Sequence, residues 1–160
     1  MSTTSEGATP GFLVWRLSMK WRVAVDRAVA PLGLTHAQYS LVASLYGMQH
    51  SGLRPSQRHL ADRTGLEALY VSKLARALES SGLVERTRDP RDPRAVQLAL
   101  TDEGREVTRQ AIKVVHGLLQ QLLEPLGGLD SERTREFSRD LAILLDTPLD
   151  PASEHEKEQS

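Results

Sequence analysis

The chain changes its hydrophobic period at one glycine. In the run SQRHLADRTGLEALYVSKLARALESSGLVER (56–86), Val71, Leu74, Ala75 and Leu78 recur at i, i+3, i+4 and i+7, which is the pattern of a half-buried helix. Gly82 sits where a helix C′ residue belongs and stops it. Beyond Gly82 the period is two. LVERTR (83–88) alternates, and VQLALT (96–101) puts Val96, Leu98 and Leu100 on one face. Between these strands lies RDPRDPRAV (88–96), whose prolines fix φ and remove backbone donors, so it is neither helix interior nor central strand. A β-hairpin with a proline-rich tip is the result. Before Leu66, Ser56 caps a short helix running to Arg63, and Thr64-Gly65-Leu66 makes a tight turn into the next one. Two helices joined by a short turn containing glycine form a helix-turn-helix, and the hairpin after it is a wing.

The flanks read as helices. Residues 1–10 are a disordered lead by composition. From Phe12 to Val29 the sequence is apolar at so many phases that more than one neighbour must cover it. That neighbour is either the chain's own core or a second subunit. Pro31 and Gly33 end this helix, and Thr35 caps the next, with Tyr39, Val42, Ala43 and Tyr46 inward and Leu41 and Leu45 widening the stripe. HSGLRP (50–55) is a loop, with a very short strand expected around Leu53 and Arg54. Thr101 caps a long helix through Ile112, Val115, Leu118 and Leu122 toward the Gly127-Gly128 break. A last helix, capped by Asp130 or Ser131, carries Phe137, Leu141, Leu144 and Leu145, and residues 147–160 are a disordered tail. The expected fold is mainly α with a small β-hairpin wing. A winged helix-turn-helix domain spans 34–101, and a helical region is built from 11–33 and 102–146.

Composition narrows the chemistry. The absence of cysteine excludes disulfides, thiolate metal sites and thiol redox sensing. No secretory leader or membrane-spanning run is visible, so a cytoplasmic location is expected. The histidines (36, 50, 59, 116 and 155) show no metal-ligand spacing, and no cofactor is implied. No nucleophile elbow, phosphate-cradling glycine loop or framed carboxylate pair is present, which argues against an enzyme. The formal charge of −1 is unevenly spread, with local balances of +2 over 1–53, +3 over 54–94 and −6 over 95–160. A positive middle segment in a near-neutral chain fits a nucleic-acid face.

On the second helix of the helix-turn-helix, Leu69, Tyr70, Ser72, Lys73 and Arg76 lie opposite the apolar stripe. A recognition helix presents its N-terminal half to base edges in the major groove. Ser56, Gln57 and Arg58, at the start of the preceding helix, are candidates for phosphate backbone contacts. The wing candidates are Arg86, Arg88, Arg91, Asp92 and Arg94. A wing tip lies beside the minor groove, where a narrow groove attracts arginine. Asp92, two residues before Arg94, is expected to hold that guanidinium in one orientation. The rival reading is a winged-helix module for protein–protein assembly without DNA, and the outward cations count against it.

The run from Leu34 to Gly104 resembles the MarR family of winged helix-turn-helix transcriptional regulators. LTHAQYSLVASL resembles the opening of the family's second helix, HLADRTGLEALYVSKLARALESSGLVER its helix-turn-helix, and DPRDPRAVQLALTDEG its wing signature. The family's wing pair falls on Asp92 and Arg94, with Pro93 standing where the family often has a charged or flexible residue. The resemblance implies a homodimer held by the first and last two helices, bound to double-stranded DNA at a pseudo-palindrome and acting mostly as a repressor. It also implies an effector pocket for a small aromatic or phenolic ligand. Candidate lining residues are Trp15, Met19, Trp21, His36, Tyr39, Met48 and the segment near Val114.

Overall fold

The structure, a computed structural model, describes residues 7–151. Its helices are α1 (Pro10–Val29), α2 (His36–His50), α3 (Gln57–Thr64), α4 (Ala68–Ser80), α5 (Asp102–Leu123) and α6 (Glu132–Asp146), with strands β1 (Val84–Arg88) and β2 (Val96–Leu100). The mainly helical fold with one antiparallel hairpin is therefore as expected. The lead needs correction at its end. The Thr9 hydroxyl accepts the Phe12 N–H, and Pro10 is the first helical residue, where its missing N–H costs nothing. Residues 1–6 and 152–160, assigned to the lead and tail, lie outside the described residues.

The caps follow from local chemistry. Thr35 and Gln38 form a reciprocal capping box on α2. The first N–H of that helix donates to Asp26 Oδ1 at 2.8 Å, so a carboxylate on α1 fixes where α2 starts. Ser56 and His59 make the same box on α3, the imidazole standing where a glutamate or glutamine is usual. At the end of α4, Gly82 (φ 78°) donates to Glu79 O and Leu83 N–H to Leu78 O. That is a Schellman closure, with Leu78 and Leu83 both buried. α6 takes Ser131 as its cap rather than Asp130.

The chain divides into two compact units, one ending at Leu118 and one beginning at Leu119. In the first unit one core unites the helix-turn-helix, the wing and the flanking helices. Val25 and Val29 from α1 are fully buried, as are Leu41 and Leu45 from α2, Leu60 from α3, Val71 and Ala75 from α4, and Ala111 from α5. On α2 the buried stripe is Leu41, Val42 and Leu45, while Tyr39, Ala43 and Tyr46 lie at its half-buried margin. The hairpin pairs Val84 with Leu100 and Arg86 with Leu98. The short third strand is only an isolated bridge, at Ser56 with Gln97 rather than at Leu53 and Arg54. Leu98 N–H donates to Pro55 O at 3.1 Å, and Leu100 N–H to Gln49 Oε1 at 3.0 Å, so α2 and the α2–α3 loop hold β2 in place.

In the second unit the end of α5 turns through Gly127, and Thr134 is buried with its hydroxyl bonded to Gly128 O and the Ser131 hydroxyl. Leu123 is buried there, whereas Leu141, Ile143, Leu144 and Leu145 on α6 are exposed. Among the described residues no helix is long and apolar enough to cross a membrane.

Candidate nucleic-acid interface

α4 buries Val71, Leu74, Ala75 and Leu78, the stripe expected from the sequence. At about 100° per residue, the line opposite that stripe passes through Leu69, Lys73 and Arg76. All three are exposed. Tyr70 lies on one flank of this ridge, exposed, and Ser72 on the other, half-buried. The five candidates therefore share an outward surface, but the ridge itself belongs to a leucine and two cations. Glu67, at the N-cap position of α4, makes no side-chain cap.

The wing tip is built from two successive turns of the same kind. Asp89 Oδ1 accepts the Arg91 N–H at 2.8 Å, and Asp92 Oδ1 accepts the Arg94 N–H at 3.0 Å. In each, a proline between the aspartate and the arginine pre-sets φ, and the carboxylate closes an Asx turn on the backbone. Asp89 N–H to Ala95 O and Ala95 N–H to Asp92 O close the base of the loop. This revises the expected role of Asp92. Its carboxylate holds the Arg94 backbone, and among the described residues no ion pair joins it to the Arg94 guanidinium. Arg88, Arg91 and Arg94 are exposed. Asp89, which has the same job for Arg91 as Asp92 has for Arg94, is the residue that sequence reasoning passed over. The repeated Asp-Pro-Arg was the signal for it.

Arg86 sits apart from the other wing arginines. Its side chain is mostly buried, pairs with Glu79 of α4 at 3.6 Å, and keeps its Nε buried without a hydrogen-bond partner. That placement ties β1 to the C-terminal end of α4. Of the residues at the start of α3, Arg58 is exposed and Gln57 is half-buried, with its Nε2 enclosed and unpartnered. The Ser56 hydroxyl is buried and accepts the His59 N–H. Of the three, Arg58 is the one that faces solvent.

The candidate effector residues differ in exposure. Trp15 is 60% exposed on α1, while Trp21, Tyr39 and Met48 pack half-buried against the core. Met19 is half-buried. Burial holds the His36 imidazole below its ordinary pKa, with Arg22 acting the same way and Asp26 opposing. Burial also pushes the Tyr39 phenol up. A surface recess is lined by Tyr46, Gln49, His50, Leu100 and Arg105, none of them in the candidate set. Among the described residues no cluster of histidine and carboxylate side chains has the makings of a metal site.

Known proteins place this geometry. The MarR family model matches residues 32–95, the segment that holds the helix-turn-helix and most of the wing. The uncharacterized HTH-type transcriptional regulator YdcH of Bacillus subtilis is 36% identical over 112 residues, covering 70% of this chain and 76% of that one. An HTH-type transcriptional repressor of Mycobacterium tuberculosis is 29% identical over 140 residues, covering 88% and 96%. The PcaV transcriptional regulator of Streptomyces coelicolor, solved with its natural ligand, superposes with a TM-score of 0.72 at 26% identity, over 91% of this chain and 96% of that one. With its helix-turn-helix, its wing and relatives named as transcriptional regulators, the chain belongs to the MarR family of DNA-binding transcription regulators.

Proposed function

We propose that this protein is a sequence-specific repressor that binds a pseudo-palindromic operator as a homodimer and is released by a small aromatic or phenolic ligand. One observation carries the reading. The ridge of α4 turns Lys73 and Arg76 outward, and the wing that follows it exposes three further arginines on a stiffened tip. Cations on the ridge suit guanine edges and phosphates, and those on the tip suit a narrow minor groove. Tyr70, Ser72 and Lys73 tune sequence preference, whereas Arg58 contributes phosphate attraction.

The homodimer is supported by the apolar surface that each helical end leaves uncovered. α1 exposes Phe12, Leu13, Val14, Trp15 and Leu17, and α6 exposes Leu141, Ile143, Leu144 and Leu145. A second copy of the chain is the occupant, so residues 11–33 and 102–146 serve dimerisation while the first unit's core also uses Val25 and Val29 of α1 and Ala111 and Val115 of α5. The ligand reading draws on the Streptomyces regulator, with Trp15, Met19, Trp21, His36, Tyr39 and Met48 as candidate contacts. The place of action is the cytoplasm, where an operator on the chromosome is accessible.

Gel shifts with genomic fragments at two salt concentrations test the function. Sequence-selective binding that weakens steeply with salt is expected, because phosphate contacts release counterions. Absence of binding at low salt rejects it in favour of a protein-assembly module. Light scattering on the free protein tests the dimer.

A further inference from the structure

Leu69 is 78% exposed, the most exposed large apolar side chain among the described residues of the unit that ends at Leu118. Scattered surface leucines are ordinary, so exposure alone means little. Its position is what matters. Leu69 stands in the first turn of α4, in line with Lys73 and Arg76 and directly opposite the buried stripe. Tyr70, also exposed, adjoins it. The outward ridge of this helix thus has an apolar N-terminal end followed by a cationic stretch. From Ala68 to Leu78 the helix has no Asn, Gln, Asp or Glu.

Each absence has a meaning in the major groove. Asn and Gln are the bidentate partners of adenine, and Asp and Glu accept from cytosine N4. Apart from Glu67 at the N-cap, neither is offered here. Lysine and arginine match guanine O6 and N7, and the one apolar group the groove presents is the thymine C5 methyl. Leu69 and Lys73 are about 6 Å apart along the helix axis. At about 3.4 Å per base step, that distance covers about two base pairs.

We propose that Leu69 is a specificity-determining residue that reads a thymine methyl group, with the thymine about two base pairs from a guanine contacted by Lys73 in each half-site. The inference rests on the regulator reading above and adds what the recognition helix selects for. Burying one methyl group is worth about a fourfold change in affinity.

The test uses the full-length protein. Binding sites are selected from a random duplex library, and the best site is resynthesised with deoxyuridine replacing each thymine in turn, which removes only the C5 methyl. One thymine per half-site is expected to show a loss of about fourfold. Leu69→Ala, a change at an exposed position, is expected to fold with an unchanged melting temperature and to be indifferent to that same uracil. Selective binding with no uracil-sensitive position overturns the inference and leaves the regulator reading standing. So does a Leu69→Ala variant that keeps the full uracil penalty. Failure to select any site overturns both.

Discussion

The α-carbon of Gly104 packs so closely on Leu83 that a Cβ placed there would lie 1.9 Å from the Leu83 carbonyl oxygen. Beside this contact, the Thr101 hydroxyl donates to Gly82 O at 2.6 Å and accepts the Gly104 N–H at 2.9 Å. Thr101 N–H also donates to Leu83 O at 3.1 Å. The start of α5 is thereby locked onto the turn that ends α4 and opens the wing. A methyl group at residue 104 has backbone in its way, so nothing flexible yields to it. Gly104→Ala is expected to lose about 1–3 kcal/mol or more in urea denaturation. A loss below about 0.5 kcal/mol would mean that the two segments separate easily.

The Asx turn at Asp92 separates two accounts of the wing. If the carboxylate held the Arg94 guanidinium, removing its charge would weaken operator binding. Because it holds the Arg94 backbone N–H, an amide oxygen serves nearly as well. Asp92→Asn should bind like the parent protein, whereas Asp92→Ala should bind about fivefold more weakly, the worth of one net hydrogen bond. Equal losses in the two variants would restore the ion-pair account.

Arginines 58 and 86 are expected to part company. Arg58→Ala should weaken binding to all sequences alike and lower the salt slope by about one phosphate contact. Arg86 instead bridges to Glu79 with most of its side chain buried. Arg86→Ala should lower the melting temperature through lost packing of its stem and leave sequence preference untouched. The idea fails if Arg86→Ala melts like the parent and loses affinity only.

His36 links stability to acidity. Its folded pKa lies below the ordinary 6.5, first because it is buried. On acidification the unfolded chain therefore takes up the proton first. Stability from this group is intact above pH 6.5, falls as the pH drops from there toward the folded value, and levels off below it. Between pH 7 and 5.5 the urea midpoint of the parent should fall further than that of His36→Gln. Parallel curves for the two proteins would remove His36 from the account.

Much of this architecture is written locally. The Val71, Leu74, Ala75 and Leu78 stripe, the stop at Gly82 and the alternation of β2 depend on neighbours within a few residues, and each stands where the period puts it. The caps at Thr35, Ser56 and Thr101 are equally local, since a hydroxyl reaches an N–H three residues on. The family, too, is legible in motif order. What sequence left open depends on contacts between distant segments. No spacing rule links Gln49 to Leu100, Pro55 to Leu98 or Glu79 to Arg86, and these contacts decide how the hairpin is held and which wing arginine stays at home. Asp92 lay between the two cases. Its place in a turn was clear, but a carboxylate two residues before an arginine can accept from guanidinium or from backbone N–H, and only the folded loop chose between them. The sequence by itself determined the helix-turn-helix, the wing and the outward ridge of α4, because periodicity and capping act over a single turn. The close packing of Gly104 on Leu83 and the retention of Arg86 were decided by tertiary structure, because each needs groups from two different elements brought to van der Waals or ion-pairing distance.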